Sequence, residues 1–170
     1  MHTYVIALDQ GTTSSRAVLF DENAHIVAMK SYEFEQLYPQ PGWVEHDPTA
    51  ILNTQIDALR EVVRISGVPL ESIAAIGITN QRETTLLWDR KTGRPLYNAI
   101  VWQCRRTAPI VARLCEEGLE EHIRTTTGLV PDAYFSGSKL SWLLDTLNLH
   151  ERAENGEICF GTVDSFLAWN

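Results

Sequence analysis

Within one octet of the chain, Asp9, Gly11, Thr12, Thr13, Ser14, Ser15 and Arg16 gather a carboxylate, a glycine, several hydroxyls and a guanidinium between two apolar runs, Tyr4–Leu8 and Ala17–Phe20. The runs are apolar and β-branched enough to pair as strands, so the polar centre reads as the turn of a β-hairpin. Gly11 permits a sharp or left-handed backbone step that a Cβ would oppose. Successive N–H groups in such a turn converge on an anion, and the hydroxyls of Thr12, Thr13 and Ser14 add donors suited to phosphate. Asp9, at the carboxyl end of the first strand, is placed to meet a hydrated Mg²⁺, which takes few protein carboxylates and keeps its waters. Arg16 adds a charge-assisted phosphate contact. The same residue types also build ordinary polar turns, and the hairpin alone does not decide between the two.

A second polar cluster, Asn80-Gln81-Arg82-Glu83, follows the nearly continuous apolar run Ile73–Thr79. Such a run is the signature of a strand buried on both faces, and ligands of α/β sheets gather at strand ends of this kind. Arg82 beside Glu83 sets donors and acceptors together, a combination that holds a vicinal diol. Trp102, at the end of a later strand, can lay its ring along the carbon edge of a small polyol, and Tyr134 can offer a hydroxyl from a third side. For each residue alone the plainer alternative stands: a surface Arg–Glu pair, a core Trp, a packing Tyr.

The elements that must carry these groups follow from periodicity. Three strands open the chain as an antiparallel meander, the third beginning at His25 and continuing past Tyr32. Asp47-Pro48 reads as an N-cap with proline at the first helical position, and Leu52, Ile56, Leu59, Val62 and Val63 predict a helix from Pro48 to Ser66, stopped by Gly67 and Pro69. His46, at this boundary, reads as structural or solvated rather than as a ligand. Strands are expected at Ile73–Thr79, Thr84–Trp88, Asn98–Trp102 and Ile158–Phe160. Short helices are expected around Ile110–Cys115, over Leu119–Thr127 closed by Gly128, from Lys139 towards Leu147, and after Thr162.

The chain has 170 residues, enough for one core or for one domain and part of another. Its 44% hydrophobic and 21% charged content is that of a soluble globular protein. A net charge of -8 leaves no basic surplus for a nucleic-acid backbone. Cys104, Cys115 and Cys159 form no CxxC pattern, so neither a disulfide framework nor a zinc site is indicated, and a reducing cytoplasm fits best. No signal peptide and no integral membrane segment are read from the sequence. The last apolar residues, Phe166, Leu167 and Trp169, arrive without a cap behind them, so the ending reads as a truncation.

Several stretches, taken together, closely resemble the glycerol kinases of the FGGY carbohydrate kinase family: Ala7–Arg16, Gly42–Pro48, Gly77–Thr85 and Asn98–Thr107, extended by Gly128-Leu129, Tyr134–Gly137 and Phe160–Asp164. The match runs in order over essentially the whole chain. It implies an α/β fold, a ribonuclease H-like, actin-type ATPase domain with a mixed sheet, the first domain of a two-domain kinase. Residues 1–170 would be its amino-terminal domain, with the carboxy-terminal nucleotide domain absent. The implied reaction is ATP plus glycerol giving ADP and sn-glycerol 3-phosphate, with ATP and Mg²⁺ as cofactors, in a cytoplasmic and, at full length, homo-oligomeric enzyme. Carried over position by position, Thr12, Thr13, Ser14 and Arg16 would contact nucleotide phosphates and Asp9 would hold Mg²⁺ through water. Arg82, Glu83 and Tyr134 would hydrogen-bond glycerol, with Trp102 walling the pocket. The family's general base is an aspartate in a Gly-Asp-Gln motif that these residues lack, so the chain by itself is expected to be catalytically inactive. Two other readings stay open, a kinase for another small polyol or sugar of the same family and a non-catalytic binding or oligomerising module.

Overall fold

The computed structural model describes residues 3–170. In chain order the strands are β1 (Tyr4–Gln10), β2 (Ser14–Phe20), β3 (Ile26–Glu33), β4 (Glu45–His46), β5 (Ile73–Asn80), β6 (Thr85–Asp89), β7 (Ala99–Ile100) and β8 (Ile158–Thr162). The helices are α1 (Pro48–Ser66), α2 (Ala108–Glu116), α3 (Glu120–Thr127), α4 (Ser136–Thr146), α5 (His150–Glu154) and α6 (Val163–Trp169). They divide into two compact units, the first formed by the residues up to Gln36 with Asp47–Gln81 and Val163–Asn170, the second by Leu37–His46 with Arg82–Thr162.

The first unit is built on a mixed sheet of order β3-β2-β1-β5. The meander is as expected: β1 and β3 both run antiparallel to β2, while β5 runs parallel to β1. Alternation sends Ile6 and Leu8 of β1 and Ala17 and Leu19 of β2 to one face, where they pack with Ala58 and Val62 of α1. Helix α1 matches the sequence reading at both ends. The Asp47 carboxylate accepts from the Thr49 N–H at 2.8 Å, Pro48 opens the helix, and Gly67 closes it at a left-handed φ of 66°.

The β5 strand departs from expectation. The apolar run Ile73–Thr79 predicts a strand buried on both faces, yet Ala74–Thr79 are exposed, with Ile76 at 52% and Ile78 at 37%. Among the described residues its only strand partner is β1, so it forms an edge. Helix α1 covers the centre of the sheet and leaves an apolar groove beside β5, lined by Ile6, Leu59, Val63, Ile73 and Ile76.

The second unit has an antiparallel sheet of order β4-β7-β6-β8, and the strand expected over Asn98–Trp102 shrinks to Ala99–Ile100. The chain leaves the sheet there: the Val101 N–H donates to the Val44 carbonyl, and the Cys104 N–H to the Val101 carbonyl, closing a turn. Leu87, Ile100, Cys104, Leu143 and Leu149 form its core. Beside that core lies a buried ion pair, Arg106 Nη2 to Glu45 Oε1 at 2.7 Å. The Arg106 guanidinium sits 3.8 Å from the Trp43 ring centroid and 4.7 Å from that of Trp142. Glu45 also accepts from the Tyr97 hydroxyl (3.0 Å) and the Asn98 amide (2.8 Å). No helix among the described residues is long and apolar enough to cross a membrane.

Removing one partner of this buried pair strands the other. Arg106→Ala should therefore cost about 3–5 kcal/mol in chemical denaturation, against about 1 kcal/mol for loss of the α1 cap in Asp47→Ala.

Candidate functional site

The hairpin residues all belong to the first unit. Asp9 and Arg16 are direct cross-strand partners, and Arg16 Nη1 lies 3.7 Å from Asp9 Oδ2 with both side chains 45% exposed. Thr13 is exposed and Thr12 half-buried in the turn between β1 and β2, and Ser14, half-buried, opens β2. Gly11 does not adopt a left-handed backbone. Its importance lies in close approach: its N–H donates to the Ser14 carbonyl at 2.9 Å, and a Cβ would sit 3.3 Å from that oxygen.

Beneath these solvent-facing groups runs a neutral hydrogen-bond chain that sequence reasoning missed. Ser15, fully buried, donates to Gln10 Oε1 at 2.7 Å and meets the Thr54 hydroxyl of α1 at 2.8 Å. The Gln10 and Gln81 side-chain amides both donate to the Gly11 carbonyl, at 3.2 and 3.3 Å. The Gln55 amide donates to the Arg16 carbonyl at 2.9 Å. The one available signal was Gln10 itself, a polar residue in phase with the buried Ile6 and Leu8. This scaffold fixes the turn from below, and the Asp9 carboxylate and the Arg16 guanidinium stand above it, half-exposed. Among the described residues no group of three or more His, Cys, Asp or Glu is placed to hold a metal. A single half-exposed carboxylate, with Arg16 beside it, could hold a cation only through that cation's own water, as Mg²⁺ allows.

Arg82, Glu83, Trp102 and Tyr134 belong to the second unit. Arg82 is exposed; Glu83, Trp102 and Tyr134 are half-buried. The Trp102 and Tyr134 rings meet edge to face, with centroids 6.1 Å apart, and the Trp102 N–H donates to the Thr84 hydroxyl at 3.3 Å. Glu83 has a φ of 64°, a conformation rare for a side chain of its size and one that costs about 1–3 kcal/mol unless surroundings enforce it. Its Oε2 accepts from the Ser136 N–H at 2.8 Å and from the Ser136 hydroxyl at 2.6 Å. Asp132 accepts from the Tyr134 N–H at 2.7 Å and pairs with Arg105 at 2.7 Å, and that guanidinium holds the Asp132 carboxyl below its ordinary range.

Lys139, one turn into α4, is fully buried and donates to the carbonyls of Tyr134 and, at 3.3 Å, Phe135. Burial lowers its pKa to about 8, against the opposing pull of Glu83. Ser136 and Lys139 also escaped sequence reading, although Lys139 stands four residues before the buried Leu143, on the apolar face of α4. His46 is fully buried, and burial lowers its pKa to about 4, so it is a neutral structural residue.

Both basic groups have folded pKa values below their unfolded ones, so the unfolded chain binds more protons throughout each window. Stability should fall as pH drops from about 10.5 towards 8 through Lys139, and again from about 6.5 towards 4 through His46. Denaturation across these ranges, with NMR titration of the Lys139 ammonium and the His46 ring, measures both effects. A Lys139 midpoint near 10.5 would contradict this account.

Sequence and structure comparisons agree with this architecture. Residues 4–170 match the model of the N-terminal domain of the FGGY family of carbohydrate kinases. Glycerol kinase 2 of Thermotoga maritima is 59% identical over 168 residues, covering 98% of this chain and 34% of that protein. A glycerol kinase of Haemophilus influenzae is 60% identical over 167 residues, covering 98% and 33%. The crystal structure of Plasmodium falciparum glycerol kinase with ADP superimposes with a TM-score of 0.91 at 32% identity, over 99% of this chain and 34% of that one. A xylulose kinase from Rhodospirillum rubrum gives 0.82 at 27%, over 97% and 33%. The chain thus spans about a third of the length of the relatives it matches. With its mixed sheet and a family match over nearly all its residues, the chain belongs to the FGGY family of carbohydrate kinases.

Proposed function

We propose that this chain supplies the phosphate-holding hairpin and the polyol-holding pocket of a glycerol kinase, which transfers the γ-phosphoryl group of ATP to glycerol, giving ADP and sn-glycerol 3-phosphate. The observation that carries the reading is the near-60% identity, over 98% of the chain, to proteins named glycerol kinase. The ADP in the Plasmodium falciparum structure supports a nucleotide as the second ligand.

Phosphoryl transfer asks the protein mainly to position reactants and to stabilise charge. The Thr12, Thr13 and Ser14 hydroxyls and the Arg16 guanidinium would hold the phosphate oxygens, and Asp9 would hold a hydrated Mg²⁺. That cation, when bound, supplies charge neutralisation at the phosphates. Glycerol is a row of hydroxyls along one face of a short carbon chain. Arg82 would donate to these hydroxyls, the Glu83 carboxylate would accept from one, and the Tyr134 hydroxyl would add another contact. The Trp102 ring would cover the carbon edge and exclude water. We assign the carboxylate that takes the proton of the attacking hydroxyl to the part of the relatives that this chain does not cover. Cytoplasmic location and homo-oligomeric assembly of the whole enzyme are part of the same reading.

The purified chain should release ADP no faster than background in a coupled assay with ATP, Mg²⁺ and glycerol. Substituted for the matching third of the Thermotoga maritima protein, it should support glycerol-dependent turnover. In that chimera Glu83→Ala should raise KM for glycerol by about tenfold or more, as expected for a lost hydrogen bond to a charged group. Equal turnover with erythritol or dihydroxyacetone would favour a different polyol. A well-folded chimera that turns over none of them would overturn the reading.

A further inference from the structure

Helix α4 begins without a cap of its own. Its N-cap residue is Phe135, which has no side-chain acceptor, and no acidic residue stands in its first turn. The exposed N–H dipoles of such an end call for negative charge. Glu83 provides it from another segment, its Oε2 accepting both the N–H and the hydroxyl of Ser136. One carboxylate oxygen, Oε2, is thereby committed to α4, so a substrate hydroxyl would meet this carboxylate at Oε1. The left-handed backbone at Glu83 is the kind of conformation that persists only when its surroundings over-determine it, and the Ser136 contacts are such a constraint.

Lys139 poses the converse problem. A cation in the first turn of a helix opposes the dipole, and this one is also fully buried. Its ammonium is directed at the two carbonyls that precede the helix, those of Tyr134 and Phe135, with the Glu83 and Asp132 carboxylates favouring it and Arg105 opposing. Tyr134 is thus gripped at its N–H by Asp132 and at its carbonyl by Lys139, which fixes the direction in which its ring leaves the chain, towards Trp102.

We propose that Ser136 and Lys139 are positioning residues for the polyol pocket: Ser136 sets the pose of the Glu83 carboxylate, and Lys139 fixes the Tyr134 main chain and hence its ring. This rests on the reading of Glu83 and Tyr134 as polyol contacts. A carboxylate oxygen held in one direction accepts from one substrate hydroxyl and discriminates against an analogue that lacks it, so the pair also sets selectivity between glycerol and propane-1,2-diol.

NMR on the full chain tests this with and without ligand. In the ligand-free protein, Ser136→Ala should shift the Glu83 side-chain carboxyl resonance, and Lys139→Met should shift the Tyr134 ring resonances, while Lys139→Arg stays close to the parent. In glycerol titrations Ser136→Ala and Lys139→Met should each weaken binding about tenfold, and Lys139→Arg by less than about threefold. Ser136→Ala should also narrow the preference for glycerol over propane-1,2-diol, which a purely structural role would not alter. Unchanged Glu83 and Tyr134 resonances in both variants overturn the proposal, whatever glycerol does. If the resonances move as expected in a chain that glycerol leaves unperturbed, the positioning role is supported and the glycerol arm passes to the Thermotoga maritima chimera, where an unchanged KM for glycerol in both variants overturns their link to the polyol pocket. If Lys139→Met does not fold, Ser136→Ala decides alone.

Discussion

A carboxylate set against the open end of a helix is the interaction on which the second unit's site depends. Glu83 lies two residues before β6 and α4 begins far along the chain, so the two Ser136 bonds are a long-range tether between a strand end and a helix start. Without that charge α4 begins with fewer of its N–H groups answered, and without α4 the left-handed backbone of Glu83 loses the two Ser136 bonds and keeps the Thr85 hydroxyl on its carbonyl. Each side of the contact supplies what the other lacks. Arg105–Asp132 and Arg106–Glu45 extend the same logic outward, one ion pair at the surface and one among indole rings, and both bracket the turn that follows Trp102.

The first unit solves its positioning problem with different chemistry. Its buried polar groups are neutral, running from Thr54 through Ser15 to Gln10 and the Gly11 carbonyl. Its charges, on Asp9 and Arg16, stay at the surface. A neutral scaffold costs less to bury than ions and, on the proposed reading, does not compete with the phosphates for the exposed charges. In the second unit the charges themselves are structural, and their desolvation is visible in the lowered pKa of Lys139.

What the sequence disclosed was mostly local. The extent of α1 was legible because Asp47, Pro48 and Gly67 each state a backbone condition within a residue or two of the boundary they mark. The hairpin was legible for the same reason, as were the closing of α3 at Gly128 and the meander. The exposure of β5 was not, because an apolar run reports a preference for burial and says nothing about whether a partner covers it. The pairing of Glu83 with Ser136 spans a sequence separation that no local pattern encodes. The burial of Lys139 was not legible because an ammonium ordinarily stays in water, and only the packing places this one inside. The backbone of Glu83 gave no warning either, since a left-handed φ at a carboxylate is imposed by its neighbours, whereas at Gly67 it follows from the residue itself.

The edge strand β5 carries a further implication. Natural sheets protect an open edge with lysine, proline, a bulge or a very short strand. Ile73-Ala74-Ala75-Ile76-Gly77-Ile78-Thr79-Asn80 has no charge and no proline, and in the parallel pair with β1 its only register shift lies at the Tyr4–Val5 end. Among the described residues one of its edges has no strand partner, and Ile76 and Ile78 stand exposed along it, a composition that favours strand-to-strand association. For this chain the practical ceiling is concentration: the strand that completes the sheet is also the one through which separate copies can add to one another.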